Sequence, residues 1–156
     1  MSLLAPNEQD QLRAWFGEMT GPVRLLFFTQ AIGCEPCTQT RRILDELPPL
    51  SDKIAIDEVN FVLEKEKAAQ YAIDRVPAIA LVGPSTPLGA GSSANRVADK
   101  DSRIRFLGSP AGHEFMSLIQ AILLVGGAAS HLSDDNRRRI AAVDKPVTIQ
   151  VFSTPT

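Results

Sequence analysis

The sequence predicts an α/β domain, a mixed central sheet between helical layers with an extra helix at the N-terminus. The apolar spacing alternates along the chain between helical and strand-like runs, so strands are separated by helices. The 156 residues are 44% apolar and 22% charged, which suits one compact domain with a real core. Strands joined through helices call for parallel neighbours, whereas the last two predicted strands can pair antiparallel.

Residues Asn7 to Met19 carry Leu12, Trp15, Phe16 and Met19 at helical spacing, and Gly21-Pro22 ends that helix. The following VRLLFFT is too short and too rich in large apolar residues for a surface helix, and fits a strand buried on both faces. A loop with both cysteines comes next. Thr38 to Leu47 then reads as a helix with Ile43, Leu44 and Leu47 on its apolar side, stopped by Pro48-Pro49. IAIDEVNF alternates as a second strand with a more polar edge, and Leu63 to Tyr71 forms a short charged helix. In RVPAIALVG, Pro77 precedes a third, very apolar strand, a position where its missing donor lies outside the ladder. Gly83 to Ser102 shows little periodicity and much Gly, Ser and Pro, and is expected to be a mobile loop or a small hairpin. RIRFLGS alternates as a fourth strand. HEFMSLIQAILLVGG is a helix with Phe115, Leu118, Ile119, Ile122 and Leu123 on one face, ended by Gly126-Gly127. Ser133 to Val143 is a final helix, with Ser133 as N-cap before Asp134 and Asp135.

Composition removes several function classes. A net charge of −2 provides no basic field for nucleic acid or anionic lipid. The most apolar window, Phe115 to Val125, is too short to span a bilayer and includes Gln120. MSLLAPNEQDQLRAWF lacks a charged flank before a sustained apolar stretch, so no secretory signal is expected and the location reads as cytoplasmic. Cys34 and Cys37 are the only cysteines, and in a reducing compartment such a pair is expected to be catalytic, metal-binding or inert rather than a staple.

Those alternatives differ in what the surrounding residues must provide. Zinc needs about four ligands, and only His113 and His131 could join the cysteines, at a spacing unlike a finger. Inert burial would leave the strand before and the helix after the pair as coincidence. If Cys34 opens the helix, unpaired amides and the helix dipole favour negative charge on its sulfur. Cys37 then lies one turn deeper on the same face, and Pro36 is tolerated because its absent donor would have been unpaired. Glu35 opposes that negative charge. This arrangement suits an attacking thiolate and a resolving thiol.

The GCEPC motif after a buried strand resembles the thioredoxin superfamily over nearly everything from Asn7 to Phe152. RFLGSPAGHEFMSLIQAILLVGG resembles the N-terminal domain of the flavoprotein component of alkyl hydroperoxide reductases. The chain is also similar to the tandem glutaredoxin-like protein disulfide oxidoreductases. The resemblance implies a thioredoxin-like fold and a protein disulfide oxidoreductase that needs no cofactor or metal, with Cys34 attacking and Cys37 resolving. It further implies that Val76-Pro77 is a cis bond facing the cysteines, where an extended substrate adds like a strand. Protein disulfides are the implied substrates, and a flavoprotein reductase or a peroxidase is a further implied partner. A dedicated electron relay and a non-catalytic docking unit are the alternatives. His113, beside Glu114, falls in the shared stretch and reads as part of a helix start.

The chain departs from the superfamily pattern in two ways. Ile32-Gly33 stand where an aromatic residue usually precedes the first cysteine, and VRLLFFT holds no buried acid. The direction of electron flow is therefore left open. PVRLLFFTQ from Pro22 also lies over PVTIQVFST from Pro146, with Pro, Val and Phe identical. The expectation is one thioredoxin-like unit over 1–143, with 144–156 as the first strand of a second unit in a longer chain. Arg137, Arg138 and Arg139, flanked by acids, read as a solvated helix face or a contact with that unit. Trp15 reads as a core anchor.

Overall fold

The computed structural model describes residues 3–84 and 100–153. In chain order they form α1 (Pro6–Gly17), β1 (Val23–Thr29), α2 (Glu35–Asp45), a 3₁₀ turn (Pro48–Leu50), β2 (Ile54–Asn60), α3 (Lys65–Gln70), β3 (Ala78–Gly83), β4 (Lys100–Leu107), α4 (His113–Val125) and α5 (Asp134–Ala141). The sheet order is β2-β1-β3-β4.

β1 occupies the interior of the sheet and has the bounds that VRLLFFT predicts. Its residues alternate between two cores. Val23, Leu25 and Phe27 join Ile79 and Leu81 under α1, α2 and α4, where Leu12, Phe16, Leu44, Leu118, Ile119 and Ile122 are buried. Leu26 and Phe28 join Val59, Ala78, Ala80 and Val82 on the opposite face, with Ala68 of α3 and Ile73. Both faces of the strand therefore leave water, and the apolar run follows from that.

β1 runs parallel to β2 but antiparallel to β3, and β3 is antiparallel to β4. The antiparallel β1–β3 pair corrects the expectation that helix-separated strands are all parallel. The reason is length. A return crossover must travel back along the strand, and the six residues of α3 rise only about 9 Å, against about 23 Å for the seven residues of β2. β3 therefore starts at the end where β2 finishes. The eleven-residue α2 followed by the 3₁₀ turn does make the return, and β2 is parallel to β1.

Several boundaries also move. α1 ends at Gly17, and Met19 is buried just beyond it. α2 begins at Glu35 rather than Thr38, and α3 is shorter than the predicted 63–71 helix. Of the predicted 83–102 loop, Gly83 belongs to β3 and Lys100 to Ser102 belong to β4, while 85–99 lies outside the described residues. α4 buries Leu118, Ile119 and Ile122 fully, with Phe115 and Leu123 half-buried. Ser133 caps α5, its hydroxyl accepting from the Asn136 amide at 3.3 Å. The Arg137–Arg139 run is exposed.

The end of α4 is tied to the end of α1. The Gly126 carbonyl accepts from the amides of Thr20 and Gly21 at 2.8 and 3.0 Å. Gly127 has a φ of +87°, and a Cβ there would lie 2.2 Å from the Thr20 hydroxyl oxygen. The glycine pair thus ends the helix and lets two chain segments touch.

β4 bulges where Ala80 faces Arg105 and Val82 faces Asp101. The Arg105 guanidinium donates to both Asp101 carboxylate oxygens at 2.8 and 2.7 Å, and its Nε donates to the Tyr71 carbonyl at 2.9 Å. The Arg105 hydrogen bonds, chiefly, hold the Asp101 carboxyl below its ordinary range. A carboxyl depressed in the folded state contributes stability that is present above its unfolded pKa of about 3.9 and is lost as pH falls through the folded value. The Asp101 side chain is 35% exposed, which limits the contribution to under about 1 kcal/mol. Urea denaturation of Asp101→Asn is expected to show that deficit at neutral pH and parity with wild type at strongly acidic pH.

Candidate active site: a disulfide at the head of α2

β1 delivers the chain to the site. After Thr29, the Gln30 side chain donates to the Ile32 carbonyl at 2.9 Å, and Gly33 takes a left-handed φ of +75°. This turn leaves Ile32 88% exposed beside the cysteines. Cys34 then occupies the N-cap of α2, and no side chain caps that helix start.

Cys34 and Cys37 are joined by a disulfide, with their Cα atoms 5.4 Å apart. The Cys37 amide donates to the Cys34 carbonyl at 3.3 Å. The two sulfurs differ in access. Cys37 is 4% exposed within the main core, whereas Cys34 is half-buried at its margin. Cys34 is therefore the more exposed residue of the pair, and it stands at the positive end of α2.

Glu35 and Pro36 are exposed on the first helical turn. Val76 is half-buried and packs against the same core as Cys34 and Cys37, and Pro77 is buried just before β3. The Val76–Pro77 peptide bond is cis. The Pro77 carbonyl accepts from Gly108 at 2.8 Å. Among the described residues, neither backbone group of Val76 has a hydrogen-bond partner. His113 is the first residue of α4. Among the described residues, no group of three or more His, Cys, Asp or Glu side chains is placed to hold a metal ion, and no helix is long and apolar enough to cross a membrane.

Two contributors went unread in the sequence. Thr40 is fully buried, and its hydroxyl donates to the Pro36 carbonyl at 2.9 Å, fastening the first turn of α2 to the core. A threonine four residues after an early helical proline is the available signal. The N-terminal segment before α1 is the other. The Leu3 amide donates to Glu46 Oε1 at 3.1 Å, which brings that segment across to the far end of α2.

A buried strand, a tight turn with a cysteine pair at a helix start, and a mixed four-stranded sheet covered by helices define a thioredoxin-like fold with a bonded cysteine pair at the head of α2. The fold is thioredoxin-like, and the chain is similar in sequence to the alkyl hydroperoxide reductase protein AhpF. It is 27% identical to AhpF of Escherichia coli over 150 residues, 96% of this chain and 24% of the relative. It is 30% identical to the AhpF of Xanthomonas campestris pv. phaseoli over 131 residues, 82% of this chain and 19% of the relative. The chain thus spans a quarter or less of the curated relatives it matches. Among solved structures, the NTD_N/C domain of Enterococcus faecalis AhpF superposes with a TM-score of 0.75 at 27% identity, over 91% of this chain and 62% of that one. A protein disulfide oxidoreductase from Aeropyrum pernix shares the fold, with a TM-score of 0.66 at 21% identity over 88% of this chain and 54% of that one. No family model matches the chain.

Proposed function

We propose that the chain exchanges disulfides with protein substrates through Cys34 and Cys37. The observation that carries this reading is the asymmetry of the bonded pair, with Cys34 half-buried at the margin of the core and Cys37 4% exposed within it. In the reducing direction, the Cys34 thiolate attacks a substrate disulfide, forms a mixed disulfide and expels one substrate thiolate. The Cys37 thiolate then attacks the Cys34 sulfur, expels the second substrate thiolate and restores the Cys34–Cys37 bond. Two electrons pass to the substrate, whose two thiolates take up protons from solvent. The reverse sequence oxidises a dithiol.

Val76 and Pro77 form the substrate-holding edge of this reading, with the unpartnered Val76 backbone available to an extended segment. Glu35 and Pro36 modulate the pair from the first turn of α2. A cytoplasmic setting accords with paired cysteines used for exchange. A dedicated electron relay to a flavoprotein or peroxidase is the second reading, favoured by the relatives named for alkyl hydroperoxide reductase. A second thioredoxin-like unit, beginning in the 144–156 segment, belongs to the same proposal. Val147, Ile149, Val151 and Phe152 lie exposed there, in a stretch whose described residues form neither helix nor strand.

Equilibration in glutathione buffers tests the reading. The Cys34–Cys37 couple is expected to titrate as a two-electron pair between about −270 and −120 mV, the negative end marking a reductant and the other an oxidant. A pair that stays fully oxidised or fully reduced throughout would overturn it.

A further inference from the structure

Beside the disulfide lies an open groove of about 1010 Å³ that includes neither cysteine, nor Val76 or Pro77. Its walls are the N-terminal segment, α2 and the start of α4, and half-buried Ile43 and Phe115 supply apolar surface. Three carboxylates, from Glu8, Glu35 and Glu46, face one guanidinium, that of Arg42. Backbone amides tether two of these carboxylates: Ala5 donates to Glu8 at 2.7 Å and Leu3 donates to Glu46 at 3.1 Å. Among the described lining residues, acidic groups thus outnumber basic ones beside an apolar wall. Such a surface complements a cationic side chain whose long stem lies on apolar groups while its head meets carboxylate.

We infer that this groove selects the substrates of the exchange reaction by docking a polypeptide segment that carries Lys or Arg and an apolar residue next to its reacting cysteine. The inference rests on the exchange reading above and adds substrate preference to it. Glu35 adjoins Cys34, so a segment bonded to the Cys34 sulfur enters the groove there. From Glu35 to Glu46, α2 rises about 16 Å, the span of about five extended residues. The occupant is thus a short extended stretch rather than a single side chain.

The probes are two short peptide disulfides that differ only in carrying Lys or Glu beside an apolar residue next to the cysteine. With the reduced protein at low salt, the Lys peptide is expected to exchange about tenfold faster. That ratio should collapse at about 1 M salt, where the screening length falls to about 3 Å. It should also approach unity in the Glu8→Gln/Glu46→Gln double variant, because glutamine keeps a carbonyl oxygen for the tethering amides while removing the charge. Equal rates for both peptides, or a faster Glu peptide, would overturn the groove and leave the exchange reading intact. Failure of both peptides to react would count against the exchange reading. In that event, binding of the Lys peptide with serine in place of cysteine still decides the groove. Amide shifts at Gln39, Arg42 and Ile43 in nuclear magnetic resonance spectra support it, and their absence overturns it.

Discussion

Cys34→Ser is expected to reduce disulfide exchange to the uncatalysed background, whereas Cys37→Ser is expected to attack its substrate and then stop. The difference follows from access. Cys37 is 4% exposed and sits within the core, so a bulky disulfide does not reach it directly, while Cys34 is half-buried at the head of α2. Without Cys34 the first displacement has no nucleophile; without Cys37 the mixed disulfide has no intramolecular thiol to resolve it. Mass spectrometry under non-reducing conditions separates the outcomes. A stable substrate adduct on Cys34 is expected in Cys37→Ser, and no adduct in Cys34→Ser. Adducts on Cys37 in the latter would contradict the assigned roles. Either variant also loses the cross-link, which closes so small a loop that the chain-entropy contribution is about 2 kcal/mol. Stability is therefore best compared with the reduced wild type, so that lost chemistry is not confused with unfolding.

The cysteine site was legible because its determinants are local. A buried strand, a turn and a helix start all fall between Val23 and Asp45, and the residues there dictate each by spacing and side-chain type. The direction of β3 was not legible from alternation alone, since AIALVG reads the same whichever way the strand runs. Only the shortness of α3 decides it. The groove depends on Leu3 meeting Glu46, a contact across 43 positions that no local pattern encodes. Thr40 was passed over because a threonine on a helix normally reads as surface, and here its hydroxyl is satisfied one turn back within the core. The glycine pair at Gly126-Gly127 was read correctly as a helix stop. Its contact with Thr20 became visible only with the two helix ends side by side.

Phe27→Ala is expected to cost about 3–5 kcal/mol, a large share of the roughly 5–15 kcal/mol that stabilises a domain. The ring is 1% exposed on the interior strand β1 and belongs to the core that contains Cys37 and Leu118, so truncation leaves a cavity that α2 and α4 can close only partly. Phe28→Ala should cost a comparable amount, since Phe28 is fully buried and its ring centroid lies 6.1 Å from that of Tyr71. The neighbours nevertheless point to opposite faces of the sheet and share no cluster. Their consequences should therefore differ at the site. Phe27→Ala loosens the core that holds Cys37 and should shift the equilibrium between the Cys34–Cys37 disulfide and its dithiol. Phe28→Ala, acting through the α3 face, should leave that equilibrium close to wild type. Urea denaturation of both variants, paired with glutathione titration, reads the two effects separately. A loss below about 1 kcal/mol for Phe27→Ala would contradict the packing described for β1, because a ring truncated in a closed core cannot be that cheap.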